Sequence, residues 1–169
     1  TQAESVFLNK HNLTADEWHP KLREFKDKLL AVRDQRIPPG LDDKIITSWN
    51  AMTIVGLVDA AQYLGDESFL KAALKNMQFL ENELMEGTTV YRSYKEKRSA
   101  TRGFLDDYAY VIQACIRLYQ VTFDEYWIKR AELLTQYTLN NFFESEDGFF
   151  YYTGSESEAL IARRKEMFD

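Results

Sequence analysis

Paired carboxylates stand at two places in this chain, in LDDK (Leu41–Lys44) and in LDDY (Leu105–Tyr108). Two carboxyl groups brought to one cleft can act as acid and base on a glycosidic or hemiacetal bond. Asp43 and Asp107 are therefore the candidate catalytic pair, with Asp42, Lys44, Trp49, Asn50, Arg102 and Asp106 as candidate ligand contacts around them. Trp49 offers an aromatic face on which a sugar can stack. Asn50 carries an amide that must find partners near a buried helix start. Every one of these residues also has a purely structural reading. Asp106 suits an N-cap and Asp107 the charge compensation of a first helical turn. Asp42 and Asp43 follow Pro38, Pro39 and Gly40 and suit a turn, with Asp43 pairing to Lys44 or Arg36. Trp49 suits a core plug. Residue type alone leaves both readings open.

Other chemistries find no foothold. The histidines are His11 and His19, both near the N-terminus, so a histidine metal site or an imidazole acid–base pair is not expected. The chain contains no CxxC, Gly-rich phosphate loop, GxSxG or HExxH. The one cysteine, Cys115, lies in an apolar run and reads as a small core residue rather than a nucleophile. No metal or other cofactor is implied. The net charge of −6, without a basic cluster, disfavours nucleic acid as a partner. No apolar stretch is long enough to span a bilayer, and the first residues lack a secretory pattern, so the expected setting is cytoplasmic.

The elements that must position the carboxylates come from an internal repeat. Ala51–Ala73 lies without gaps over Ala109–Ala131, a shift of 58 residues, pairing Ile54 with Ile112, Gln62 with Gln120, Asp66 with Asp124 and Lys71 with Lys129. A fixed period of this kind marks a repeated supersecondary unit. Each unit reads as two helices. The first, at about 47–64 and about 106–121, is apolar nearly all round and is expected to be buried on every side. The second, at about 66–85 and about 124–142, carries one apolar stripe and reads as a surface helix. Gly65 suits a helix stop, and Asp66 and Asp124 suit N-caps.

Hairpin units at about 47–104 and 105–162 follow, within one domain of residues 1–169. A preceding outer helix is expected at about 20–36, with Pro20 in its first turn. TTVYRSY (Thr88–Tyr94) and GFFYYTG (Gly148–Gly154) read either as short β-hairpins or as long loops. The expected fold is all-α, with repeated helical hairpins forming part of an α/α toroid and a flat solenoid as the alternative. The shift places Ser48-Trp49-Asn50 over Asp106-Asp107-Tyr108, so both polar sets sit at the starts of inner helices, facing one opening. A half-ring would leave inner-helix faces open, so self-association through them is expected.

RIPPGLDDKIITSWNAM followed by GFLDDYAYVIQACIRLYQVTFDEYW resembles the thioredoxin-domain-containing proteins related to spermatogenesis-associated protein. The resemblance runs from about Pro20 onward and includes GFFYYTG and LIARR (Leu160–Arg164). It implies an α/α toroid similar to six-hairpin glycosidases and N-acylglucosamine epimerases. It also implies that Asp42, Asp43, Lys44, Trp49, Asn50, Asp106 and Asp107 surround the toroid cavity, with a carbohydrate as ligand. The departures are informative. A thioredoxin-like domain and a redox cysteine motif are absent from these residues, so redox activity is not expected of them. The helices amount to about half a six-hairpin ring, as in a piece of a longer protein that is inactive by itself. The epimerases work with histidines, and neither histidine falls in a repeat unit, so that mechanism does not carry over. A non-catalytic helical scaffold for protein partners is the alternative function.

Overall fold

The computed structural model describes residues 3–157 and 162–165, which divide into two compact units, Thr1–Asp42 and Asp43–Asp169. The first holds α1 (Glu4–His11) and α2 (Ala15–Asp34). The start expected at Pro20 is displaced: α2 begins at Ala15 and takes Pro20 into its interior. Its first turn is fixed instead by a capping box, in which Thr14 Oγ1 accepts from Glu17 N at 3.3 Å and Glu17 Oε2 accepts from Thr14 N at 3.0 Å. Proline clashes with the carbonyl four residues back, which here is Asp16 in that first turn. The two orphan donors satisfied by the box offset part of that cost.

The second unit contains both hairpins, α3 (Thr47–Leu64) with α4 (Glu67–Leu84) and α5 (Leu105–Thr122) with α6 (Glu125–Phe142). Asp66 and Asp124 cap the outer helices as the repeat requires, accepting from Ser68 N at 2.8 Å and Tyr126 N at 3.0 Å. Gly65 ends α3 at φ +69°, a left-handed conformation that suits glycine. Between the hairpins, β2 (Met85–Glu86) and β3 (Thr89–Val90) form one ribbon, while β4 (Ser93–Lys95) pairs with β5 (Lys97–Arg98) and with β1 (Ile45–Ile46). TTVYRSY is therefore strand for most of its length. GFFYYTG contributes one isolated bridge, Phe143 to Phe150. Of LIARR, Leu160 and Ile161 lie outside the described residues, as do 158–159 at the end of the second repeat unit.

The inner helices α3 and α5 lie side by side, parallel and in register. Two contacts fix this: Ser48 N donates to Asp107 Oδ1 near the helix starts, and Arg117 pairs with Asp59, its counterpart in the repeat, further along. The core between them and the outer helices contains Ile54, Val58, Met77, Leu80, Leu84, Val111, Leu118, Leu134 and Phe142, all at most 1% exposed. Burying side chains of this kind contributes about 1.5–3 kcal/mol each. The expectation that the inner helices are covered on every side is corrected. Helix α3 buries Ala51, Ile54 and Val58, but Trp49, Met52, Thr53 and Gly56 lie exposed along its opposite side. The reason is positional. Trp49, Thr53 and Gly56 correspond to Asp107, Val111 and Ala114, which α5 buries against α3, and α3 has no such neighbour on its own equivalent side. No helix of the described residues is long and apolar enough to cross a membrane.

Cys115 is buried on α5, and burial pushes its thiol up to about 12. Native protein at pH 8 should resist iodoacetamide and react fully once denatured. Alkylation of the native chain at the rate of a free thiol would show that α5 is not packed as described.

Candidate functional site at the inner-helix starts

Helix α3 has no side-chain cap of its own, since its N-cap residue is Ile46. Its first backbone donors are satisfied from elsewhere in the fold. Thr47 N donates to Arg92 O at 3.0 Å, and Ser48 N donates to Asp107 Oδ1 at 2.9 Å. The Thr47 hydroxyl adds a bond to Tyr91 O at 2.6 Å. The other oxygen of Asp107, Oδ2, accepts from Phe104 N at 2.9 Å, the N-cap of α5. One carboxylate therefore serves the starts of two neighbouring helices. Arg92 completes the cluster, donating through Nη1 to Asp106 Oδ2 at 2.8 Å, Asp107 Oδ2 at 3.0 Å and Ser48 Oγ at 3.4 Å.

The electrostatics follow from depth. The Asp107 side chain is 0% exposed, against 30% for Asp106 and 23% for Arg92. Burial pushes the Asp107 carboxyl above its ordinary value, against the pull of Phe104 N–H and the Arg92 guanidinium, and Asp106 next to it pushes the same way. Burial alone would lower Arg92, but its bonds to Asp106 and Asp107 overturn that and hold it firmly protonated. Among the described residues Asp106 Oδ1 is buried without a hydrogen-bond partner, so this carboxylate retains acceptor capacity at the cluster.

The expected site residues separate into distinct surroundings. Asp106 is the second residue of α5 rather than its N-cap, and it joins Asp107 and Arg92. Asp43 lies at the start of the second unit, half-exposed and paired with Lys95 at 2.5 Å, whose hydrogen bond holds its carboxyl below the ordinary range. Lys44 is exposed, and Asp42 is an exposed residue of the first unit. Trp49 is 62% exposed and is therefore no core plug. The Asn50 amide donates to Ile46 O at 2.9 Å and spans the first turn of α3. Arg102 lies apart from the cluster, paired with Glu156 at 2.5 Å.

Arg92 is not among the candidates named from the sequence; it falls within TTVYRSY, the stretch that reads either as a short β-hairpin or as a long loop. No alternation singles it out, since Tyr91, Arg92, Ser93 and Tyr94 are all partly buried; its role comes from tertiary placement beside the starts of α3 and α5. Phe104 stacks beneath Arg92, whose guanidinium carbon sits 5.0 Å from the ring centroid. Phe104 also meets Tyr152, at 5.0 Å between centroids. These two rings wall a cavity of about 530 Å³ that Thr153, Glu156, Arg102 and Arg164 also line. Gly103 keeps the approach tight. Its N–H donates to Val90 O at 2.7 Å, and a Cβ there would come within 3.1 Å of that oxygen and 3.3 Å of Asp107 Cβ. Among the described residues no group of three or more His, Cys, Asp or Glu could hold a metal ion.

Asp107→Ala removes an acceptor from two helix starts and one partner from Arg92, and should cost about 3 kcal/mol in denaturant unfolding. A loss under 1 kcal/mol would contradict the double cap. Because the folded-state pKa of Asp107 lies above 3.8, the folded chain holds this proton more tightly than the unfolded chain. That contribution is full below 3.8 and is lost as pH rises through the folded-state value. The stability advantage of wild type over Asp107→Asn should therefore shrink from pH 4 to pH 7, and an advantage that grows would reverse the sign.

No family model matches the chain. An uncharacterized protein of Caenorhabditis elegans, B0495.5, is 35% identical over 132 residues, covering 73% of this chain and 18% of that protein. Human spermatogenesis-associated protein 20 is 24% identical over 148 residues, covering 82% of this chain and 19% of its own length. The chain thus spans about a fifth of the curated relatives it matches. Among solved structures, cellobiose 2-epimerase from Bacillus thermoamylovorans superposes with a TM-score of 0.63 at 17% identity, over 70% of this chain and 32% of that one. The GH76 alpha-mannanase of Bacteroides thetaiotaomicron gives 0.57 at 19% identity, over 69% and 32%. At these identities the likeness speaks to fold. The expectation raised by the DDK…WNA and FLDDYA motifs holds: this chain is a relative of spermatogenesis-associated protein 20 and carries part of the α/α-toroid fold of the six-hairpin glycosidases and sugar epimerases.

Proposed function

We propose that this chain supplies the carbohydrate-binding end of a toroid, with the ligand held at the starts of α3 and α5. The observation that carries the reading is the cluster of Arg92, Asp106 and Asp107, which adjoins an aromatic-walled cavity through Phe104. Two supports come from chemistry. Carboxylate and guanidinium groups give sugars directional hydrogen bonds, and aromatic rings offer an apolar face for the C–H side of the ring. The carbohydrate-processing enzymes that share the fold lend the reading further support.

Roles follow from exposure. Asp107, fully enclosed and already accepting from two backbone donors, is a positioning residue in this reading. Asp106 is the carboxylate assigned to the ligand, while Asp43, ionised beside Lys95, lies outside that cluster. A saccharide panel screened by saturation-transfer NMR tests the assignment. Asp106→Asn should weaken the bound saccharide about tenfold, or about 1.4 kcal/mol, with little change in melting temperature. Absence of binding to any saccharide, or unchanged affinity in Asp106→Asn, would sink it.

The open side of α3 favours a second reading, a helical scaffold that takes another protein surface. On this reading Trp49, Met52 and Gly56 form the contact, and a second copy of the chain is the simplest partner. Sedimentation of wild type should show concentration-dependent association that Trp49→Glu abolishes. A strict monomer at high concentration would remove self-association.

A further inference from the structure

We propose that the exposed side of α3 receives the far side of α5 from a second copy of the chain, so that two unlike surfaces meet. This rests on the self-association reading above and adds which surface of the partner docks. The 58-residue repeat supplies the template. Inside the chain, α3 turns Ser48, Asp59 and Gln62 towards α5. Ser48 N donates to Asp107 Oδ1 at 2.9 Å, and Arg117 reaches both Asp59 and Gln62, the latter at 3.3 Å. Ala51, on the flank of that line, is 0% exposed. One repeat later the same line falls on α5 at Asp106, Arg117 and Gln120, with Ala109 on its flank. There Ala109, Gln113 and Gln120 are exposed. Both halves of the internal contact are therefore present a second time, each without its mate among the described residues.

The chemistry of the two open surfaces is complementary. Ala109 repeats Ala51 and Gln120 repeats Gln62, so the small side chain and the amide of the internal contact are back in place. The α3 side is bulky, with Trp49 62% and Tyr63 80% exposed, and Ala109 on the α5 side leaves room opposite such bulk. Large residues facing small ones let two helix surfaces interdigitate. Taking both open surfaces out of water supplies the driving force. Charge fits as well. Arg117 stands where the repeat had Asp59, and the second copy brings Asp59 where the repeat had Arg117, so an ion pair is available with its polarity reversed. Both groups already pair with one another in the chain, and Asp59 remains 44% exposed. The contact thus extends an alternating row of charge, which fixes register more than it adds affinity.

Sedimentation over a range of concentrations tests this on wild type, Trp49→Glu, Ala109→Glu and an equimolar mixture of the two variants, with melting temperatures recorded for each. Both substitutions fall at exposed positions and should leave the fold intact. Each variant alone should self-associate at least tenfold more weakly than wild type. The mixture should regain association as a 1:1 dimer, because each variant keeps the surface that the other has lost, whereas the doubly altered contact sets two glutamates together. Rescue of this kind also shows that neither variant is misfolded. Ala109→Glu associating as strongly as wild type means that like surfaces meet, which overturns the inference and leaves self-association through α3 standing. A mixture that stays monomeric overturns the inference in the same way. Undiminished association of Trp49→Glu removes α3 as the docking surface. A wild-type chain that is strictly monomeric at high concentration removes the inference and the self-association reading together.

Discussion

The second unit depends on one buried carboxylate that caps two helices at once. Helix α3 starts at an isoleucine that cannot accept a hydrogen bond, so its first amides must be met from outside. Asp107 meets one of them with Oδ1 and turns Oδ2 back to the start of its own helix. The consequence is geometric. The two inner helices cannot slide past one another without orphaning a buried donor, and the ion pair between Arg117 and Asp59 fixes the same register further along. Arg92 neutralises the buried charge and draws in the strand connection, whose carbonyl holds Thr47 N. Helix register, loop position and local charge are thus set by a handful of polar atoms.

This arrangement explains why the architecture could be read from the sequence and the site only in part. The helices announced themselves through apolar spacing and aspartate caps, and α3, α4, α5 and α6 fall within two residues of their expected bounds. The repeat also revealed which ends of the helices lie together. It could not reveal that equivalent positions would meet different fates. Trp49 and Asp107 occupy the same place in the repeat, yet one is exposed and the other enclosed, because only the second has a preceding inner helix beside it. Spacing does not encode which member of a series stands at an edge.

Arg92 and Pro20 show two further limits. Arg92 lies in a connection whose strands are only two or three residues long, too short for alternation to assert itself against a loop reading. Pro20 invited a helix start by its own rule, but the capping box at Thr14 and Glu17 acts earlier in the chain and prevailed. The cavity beside Phe104 was hidden for a different reason. It gathers residues from about 100–104, 152–157 and 162–164, segments whose proximity depends on the whole length of the α5–α6 hairpin between them.

The matched faces of α3 and α5 also say something about origins. The surface that α5 lays against α3 is, position for position, the surface that α3 leaves open. The contact is therefore head-to-tail, with a front that fits a back, rather than a face that fits itself. Such a contact contains no instruction to stop at two. A duplicated stretch of coding sequence yields a hairpin already shaped for its neighbour, and only the rotation from one hairpin to the next decides whether the series closes on itself.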